Sequence, residues 1–145
     1  MGVAVNQPEI RFNKQGPFSF EGVSYLPKII FFEKKNIAGT ENHDFITLPA
    51  QTFISEAFIK VDTVVNNSGV VTLGLSDDPD ALIDNTEFNI ATENNFAKHT
   101  DGLFLGTRKS VRLAISGTAD EGAVSGYLVV YEIASMKNRG IHFSM

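Results

Sequence analysis

Residues 52–65 alternate between two sets of side chains, which is the period-two pattern of a β-strand with one buried face. One side of this predicted strand is smaller and more apolar than the other, so we expect that side to face a core. The two sides are Phe53, Ser55, Ala57, Ile59, Val61 and Thr63, and Ile54, Glu56, Phe58, Lys60, Asp62 and Val64. Asn67-Ser68-Gly69 then supplies residues that tolerate positive φ, which predicts a hairpin with residues 70–75 returning antiparallel.

Further apolar segments predict the other strands. They are residues 23–32, which Pro27 interrupts, and residues 45–48, 103–105, 111–115 and 126–133. The segment 126–133 is almost continuously apolar or aromatic, which predicts a central strand buried on both faces. Strands at hairpin spacing, with few signals for helices, indicate an antiparallel β-sandwich or jelly roll.

Two segments read instead as short helical turns. Asp78 can cap free backbone amides, Pro79 suits the first helical position, and Asp80 suits the positive end of a helix dipole. Residues 78–83 are therefore predicted to begin a helix, and residues 94–99 a second turn. The predicted fold class is all-β, an antiparallel β-sandwich or jelly roll with an extended N-terminal arm and one or two short helical turns.

The chain of 145 residues is long enough to bury a core without disulfides. We predict an extended N-terminal arm over residues 1–22, a β-sandwich domain over residues 23–136 and a C-terminal tail over residues 137–145. Phe12, Phe18 and Phe20 lie in the arm, and a solvated tail does not normally keep three Phe. The arm is therefore expected to pack on its own core or on a neighbouring subunit.

Charge and composition exclude several classes of function. The net charge is −5, and residues 62–101 hold eight acidic side chains against Lys98 alone, which disfavours nucleic acid and suits a basic partner. Cys is absent, so no disulfide, thiolate metal site or cysteine nucleophile exists. No apolar run approaches the roughly 18 residues of a membrane helix, and no signal-peptide pattern opens the sequence. No membrane partner is expected.

One acidic cluster is a candidate cation site. Asp77, Asp78, Asp80 and Asp84 could supply oxygen ligands to an ion such as Ca²⁺, although their spacing is not that of an EF-hand. The alternative, which we favour, is a capped helix start followed by a solvated surface.

The remaining candidate chemistry is sparse. Arg108, Lys109 and Arg112 form a small basic group that could meet an acidic surface of a neighbouring subunit, such as another copy's residues 77–84, or simply lie on a solvated strand. The three His residues share no zinc-ligand spacing. No nucleophile elbow or phosphate-binding loop is present, so no catalytic residue and no cofactor are predicted.

The order of turns and strands over residues 46–83 resembles that of small structural proteins of tailed bacteriophages, in particular jelly-roll capsid decoration, or cement, proteins. The matching segments are Leu48-Pro49-Ala50, residues 54–64, residues 70–75 and Asp77-Asp78-Pro79-Asp80-Ala81-Leu82. Residues 126–133 resemble the closing strand of such domains, while residues 1–45 are not covered.

The resemblance implies a non-enzymatic jelly-roll protein that binds the outside of an assembled shell. Its partner would be the major capsid protein, its location the capsid surface of a virion assembled in the host cytoplasm, and its own state a homo-oligomer, with a trimer favoured. The arm residues Phe12, Phe18 and Phe20 would lie in seams between shell subunits, and cohesion would come from many weak contacts.

Three alternatives remain open. One is a receptor- or carbohydrate-binding module, such as a fibre head or lectin-like domain, although Trp is absent and Tyr25, Tyr127 and Tyr131 lie in predicted strands. Another is a tail or neck component. The third is an enzyme of the jelly-roll or cupin type, which the lack of a His cluster disfavours.

Overall fold

The computed structural model describes residues 27–66 and 68–133. The predicted arm with Phe12, Phe18 and Phe20 and the predicted tail 137–145 lie outside these residues, so the domain boundaries stay a prediction. Within the described part, nine strands form two antiparallel sheets. The strands are β1 (Lys28–Lys34), β2 (Glu41–Leu48), β3 (Thr52–Thr63), β4 (Val70–Leu75), β5 (Asp78–Ile83), β6 (Phe96–His99), β7 (Leu103–Leu105), β8 (Lys109–Ser116) and β9 (Ala123–Glu132).

The strand order is that of a jelly roll. The first sheet runs β1-β9-β3-β6, with β7 also paired to β3, and the second runs β2-β8-β4-β5. Strand β7 pairs with Thr52–Ile54 and β6 with Ala57–Lys60, so β6 and β7 form one interrupted strand along the same edge of β3. Counting them as one gives eight strands in two Greek keys, and the predicted all-β jelly roll is confirmed. No described helix is long and apolar enough to cross a membrane.

The inner faces of the two sheets bury the core. Alternate residues of each strand point inward, as the pleat requires, and each fully buried Ile or Leu side chain stabilises the fold by about 1.5–3 kcal/mol. The largest fully buried side chains are Ile37, Ile54, Ile59, Leu73, Ile83, Leu105, Ile115, Leu128, Val61, Val71, Val111 and Val124.

The predicted hairpin between residues 52–65 and 70–75 is wrong. Strand β4 pairs with β8 and β5 in the second sheet, so the chain passes from one sheet to the other between Thr63 and Val70. Asn66 anchors this crossing, because its side-chain oxygen accepts hydrogen bonds from the Asp120 and Glu121 amides at 2.9 and 3.1 Å. The same turn-forming residues serve a crossover as well as a hairpin, so local sequence does not distinguish the two.

The predicted buried side of residues 52–65 is correct only after Ser55. Ala57, Ile59 and Val61 are buried as expected, but before Ser55 the buried residues are Thr52 and Ile54. The register with β9 shifts between Ile54 and Glu56, so Ser55 is the extra residue of a β-bulge and its hydroxyl donates to the Val129 carbonyl at 3.2 Å.

Both predicted helical turns are wrong. Residues 78–83 form strand β5, in which Leu82 and Ile83 are buried and Ile83 pairs with Leu73 of β4. Burial of these two side chains outweighs the helix-start signal, and Pro79 is tolerated because β5 is an edge strand. Residues 96–99, within the predicted second turn, form β6, where Ala97 is buried.

Strand β9 is central, as predicted, but it is not buried on both faces. It lies between β1 and β3, and Val124, Leu128 and Val130 are buried on its inner side. Tyr127 and Tyr131 point outward and are half-buried. The nearly continuous apolar sequence of residues 126–133 therefore indicates an apolar outer face on the first sheet, and not a strand covered on both sides.

We predict that Gly126→Ala lowers the free energy of unfolding by about 2–3 kcal/mol, the cost of overpacking a dense core. A Cβ at Gly126 would collide with the Phe58 carbonyl oxygen and approach Phe32 Cζ at 2.7 Å. The matched control is Gly106→Ala, because nothing lies within 4 Å of a Cβ placed there, and it should change stability by less than about 0.5 kcal/mol. Urea unfolding of both variants measures the difference, and equal midpoints would contradict the predicted steric conflict.

Candidate interaction surface

The large apolar side chains that the described residues expose all lie on the outer face of the first sheet. They are Ile29, Phe31, Phe96 and Phe104, which are 55%, 76%, 59% and 55% exposed. In the alternation of their strands each points away from the core, as do several half-buried residues beside them. We call this surface the aromatic face, and it comprises Ile29, Phe31, Phe53, Phe58, Phe96, Phe104, Tyr127, Val129 and Tyr131.

Strand register places aromatic rings in a row across the four strands. Phe31 of β1 lies opposite Tyr127 of β9, which lies opposite Phe58 of β3. Phe96 of β6 lies diagonally from Phe58, opposite Lys60, and stacks on the Phe58 ring. The ring centroids are 6.3 Å apart for Phe31–Tyr127, 5.2 Å for Tyr127–Phe58 and 5.6 Å for Phe58–Phe96. Each such pair stabilises the sheet by about 0.5–1.5 kcal/mol beyond area burial, yet the outer ring surfaces remain in water.

The bulge at Ser55 adds Phe53 to this surface. Strict alternation along β3 would place Phe53 on the same side as Ala57, which is buried, but the extra residue turns Phe53 outward. There it lies between Tyr131 and Phe104. Gly102, at φ +81°, leaves room for the ring, because a Cβ at that position would lie 2.6 Å from Phe53 Cε1.

Sequence reasoning missed this surface, although one signal was available. Phe58 occupies the side of β3 that also carries Glu56 and Lys60, so an aromatic ring stands among charged residues on the outer side of a strand. Phe31 repeats the pattern next to Glu33 on β1. Aromatic residues at outward positions of two strands predict an apolar surface patch, provided that the two strands are known to share a sheet.

Charged groups on the aromatic face are paired with one another. The Tyr127 hydroxyl donates to Glu56 Oε2 at 2.5 Å, and Lys98 Nζ lies 3.6 Å from Glu56 Oε1. Two further ion pairs, Lys60–Asp62 at 2.5 Å and Lys35–Glu33 at 3.7 Å, lie on the same side of the sheet. The face therefore carries little uncompensated charge despite the net charge of −5.

The hydrogen bond to Glu56 raises the pKa of Tyr127 above its ordinary value of 10.0, with further contributions from burial and from the Glu56 charge. The neutral phenol is thus the stable form across physiological pH, and it holds the Glu56 carboxylate in place between Tyr127 and Lys98.

The outer face of the second sheet has the opposite chemistry. Arg112 Nε donates to Asp44 Oδ1 at 2.7 Å and Arg112 Nη2 to Asp44 Oδ2 at 3.2 Å. These hydrogen bonds hold the pKa of Asp44 below its usual value. The hydroxyl groups of Thr47 and Ser110 are joined by a hydrogen bond of 3.0 Å. The two outer faces of the sandwich are therefore one aromatic and one polar.

The three basic residues predicted to contact a neighbouring subunit are largely occupied within the chain. Arg112 pairs with Asp44, and Lys109 pairs with Asp77 across the end of the second sheet. Arg108 is exposed before β8, and no ion pair joins it to another described residue. Their contact with a second subunit stays a prediction, with Arg108 the most available of the three.

The four Asp residues of the candidate cation cluster do not converge. Asp77 binds Lys109, while Asp84 accepts hydrogen bonds from Thr86 and from the Glu87 amide. Asp78 and Asp80 lie close together on β5, and their mutual interaction raises the pKa of Asp78. Among the described residues, no group of three or more His, Asp or Glu side chains is arranged to hold a metal ion.

A groove of about 500 Å³ lies beside Phe96, between the start of β4 and the loop that precedes β6. Asn89 and Asn95 line it, but their side chains are engaged in the loop. Asn89 Nδ2 donates to Thr92 Oγ1 at 3.2 Å, and Asn95 Oδ1 accepts from the Asn89 amide at 3.2 Å. These amides therefore hold the loop in shape, and the exposed aromatic face remains the more extensive candidate surface.

We predict that Tyr127→Phe removes a component that titrates above the ordinary tyrosine pKa of 10.0 from the titration followed at 295 nm. Because the folded-state pKa is raised, the Tyr127 contribution to stability is full below the unfolded pKa near 10 and is lost as pH rises through the folded pKa. Wild-type stability should therefore fall more steeply than that of Tyr127→Phe above pH 10 or so. Urea midpoints measured between pH 7 and the alkaline limit test this, and parallel profiles would contradict it.

Comparison with known proteins places this fold among solved phage capsid structures. No family model and no curated protein matches the sequence. A chain in the acidic stable capsid structure of Helicobacter pylori bacteriophage KHP30 superposes with a TM-score of 0.58 at 16% identity, covering 75% of this chain and 89% of that one. A chain in the capsid asymmetric unit of cyanophage Pam1 superposes with a TM-score of 0.56 at 17% identity, covering 81% and 94%. At these identities the likeness concerns the fold, and at that level the predicted resemblance to phage capsid-related structural proteins is confirmed.

Proposed function

We propose that this protein is a non-enzymatic virion structural protein that decorates and stabilises an assembled phage capsid. The observation that carries the proposal is the aromatic face, because the exposed large apolar side chains of the described residues gather on one side of a rigid sandwich. Such a surface, with paired charges among its rings, suits contact with another protein. The major capsid protein is the proposed partner, on the outer surface of the virion, after assembly in the host cytoplasm.

The jelly-roll fold supports this proposal because it presents the face as a nearly rigid platform. Phe31, Tyr127 and Phe58 are held by three hydrogen-bonded strands, so little side-chain freedom is lost when a partner covers them. A shell displays the same binding site many times, and modest contacts repeated by linked copies add up to firm attachment. The two solved chains that share the fold come from phage capsids, which agrees with this location.

The absence of catalysis is part of the proposal. One carboxylate on each outer face, Glu56 with Tyr127 and Asp44 with Arg112, is held in a hydrogen-bonded pair, which suits a structural role. Nucleic acid is not a proposed partner, since the acidic surface would repel phosphates, and neither is a membrane.

A role in the tail or neck is a close variant of the proposal. The aromatic face would then bind tail or neck subunits and not the shell. The receptor- or carbohydrate-binding alternative has one observation in its favour, the groove beside the exposed Phe96 ring. A glycan array probed with the purified protein would separate this alternative from the decoration role.

We predict that Phe31→Ser combined with Phe96→Ser reduces binding to purified shells that lack this protein by at least about tenfold, the loss expected when two central aromatic contacts of an interface are removed. Co-sedimentation of the protein with shells measures the bound fraction. The matched control is Asn42→Ser combined with Thr72→Ser, on the outer face of the second sheet, which should bind as the wild type does. Equal binding by all three proteins would sink the assignment of this face to the shell.

We also propose that the protein forms a homo-oligomer, most simply a trimer that matches a three-fold position of a shell. Native mass spectrometry of the full chain should show a species of three times the chain mass. A monomer at every concentration up to that used for shell binding would contradict this part of the proposal.

A further inference from the structure

The aromatic face poses a physical problem for the protein before it meets a shell. Its rings form a continuous apolar surface across four strands, and contiguous apolar patches of this kind drive self-association in water. A segment of the same chain that covers the face in the free protein would remove this cost. The N-terminal arm has the composition, charge and position to do so.

We propose that Phe18 and Phe20 of a chain's own N-terminal arm pack on its aromatic face while the protein is free, and that the shell displaces them on docking. This inference rests on the proposed function, because the arm would cover the surface that binds the shell and would have to leave it on binding. It commits to the arm of the same copy rather than to a second copy or the C-terminal segment.

Charge favours the arm over the C-terminal segment. The ion pairs on the aromatic face leave it nearly neutral, so an apolar, neutral occupant loses the least hydration. Residues 1–26 contain two acidic and two basic side chains and are balanced, and residues 17–20 contain none. Residues 134–145 instead carry Lys137 and Arg139 with no acidic residue.

Geometry allows the arm to reach the face. The described structure begins next to β1, whose Ile29 and Phe31 belong to the face. Seven residues separate Phe20 from Lys28, and they span up to about 24 Å when extended. Strands lie about 4.8 Å apart, so β3, two strands from β1, is about 10 Å away.

The sequence of the arm also suits one-sided contact. Phe18 and Phe20 are two residues apart, so in an extended segment both rings point the same way and Ser19 points to solvent. A short tether gives an effective concentration in the millimolar range, which a second copy reaches only at comparable protein concentrations. The arm of the same chain is therefore favoured over another copy in dilute solution.

Photo-cross-linking of the full-length protein tests where the arm lies. Phe18→p-benzoylphenylalanine, which keeps the phenyl ring and adds a benzoyl group, should cross-link within one chain to peptides that contain Phe31, Phe58 or Tyr127. The control places the same label at Asn42, on the polar face, and should give no cross-link to the peptide containing Phe18 and Phe20. Cross-links that join two copies, or that map only to the second sheet, would overturn the proposal.

A second variant tests displacement without any label. Phe18→Ser combined with Phe20→Ser frees the face, so shell affinity should rise on the order of tenfold if the arm covers the face about nine-tenths of the time. Unchanged or weaker shell binding by this variant overturns displacement.

The two measurements keep the proposals separate. A cross-link within one chain, together with no shell binding by the wild type, rejects the decoration role and the displacement by a shell, and leaves the arm as the cover of the free protein. Shell binding that depends on Phe31 and Phe96 without that cross-link rejects the arm as the cover and leaves the decoration role standing.

Discussion

Strand β3 is hydrogen bonded along both of its edges, and the character of the aromatic face depends on that pairing. Strand β9 follows β3 from Thr52 to Thr63 on one edge, while β7 and β6 share the other edge. Because a shift in register would break both ladders at once, the extra residue Ser55 is absorbed as a local bulge. That bulge turns Phe53 outward while it keeps Ile54 and Ala57 in the core.

The sandwich consequently has two sides with different solvation. On the second sheet, Asp44 and Arg112 present charges that water and salt screen, so this outer face is well solvated. On the first sheet, rings such as Phe31 remain exposed although their neighbours stack against them. The pairing of Glu56 with Tyr127 and Lys98 removes uncompensated charge from between the rings, so a partner that covers this side need not leave a charge buried and unpaired.

Sequence reasoning succeeded where a segment's own side chains carried the information. Residues 111–115 and 126–132 lie in strands as predicted, because alternation and β-branched content mark a strand without reference to its neighbours. It failed where local and tertiary preferences disagree. Residues 78–83 carry a helix-start signal, yet burial of Leu82 and Ile83 against the second sheet makes them a strand. The spacing of Asp77 and Asp84 likewise cannot reveal that each carboxylate is already held by another residue of the chain.

The sequence by itself determined the all-β character, the position of most strands and the acidic charge, since these follow from side-chain type and from the two-residue period of an extended chain. Only the tertiary structure decided that residues 70–75 join the second sheet and that Phe31, Tyr127 and Phe58 stand in one row. The physical reason is that alternation defines two sides of a strand but not which side meets a second sheet. That choice depends on strand order and on the bulge at Ser55, both of which arise from pairing between residues far apart in the chain.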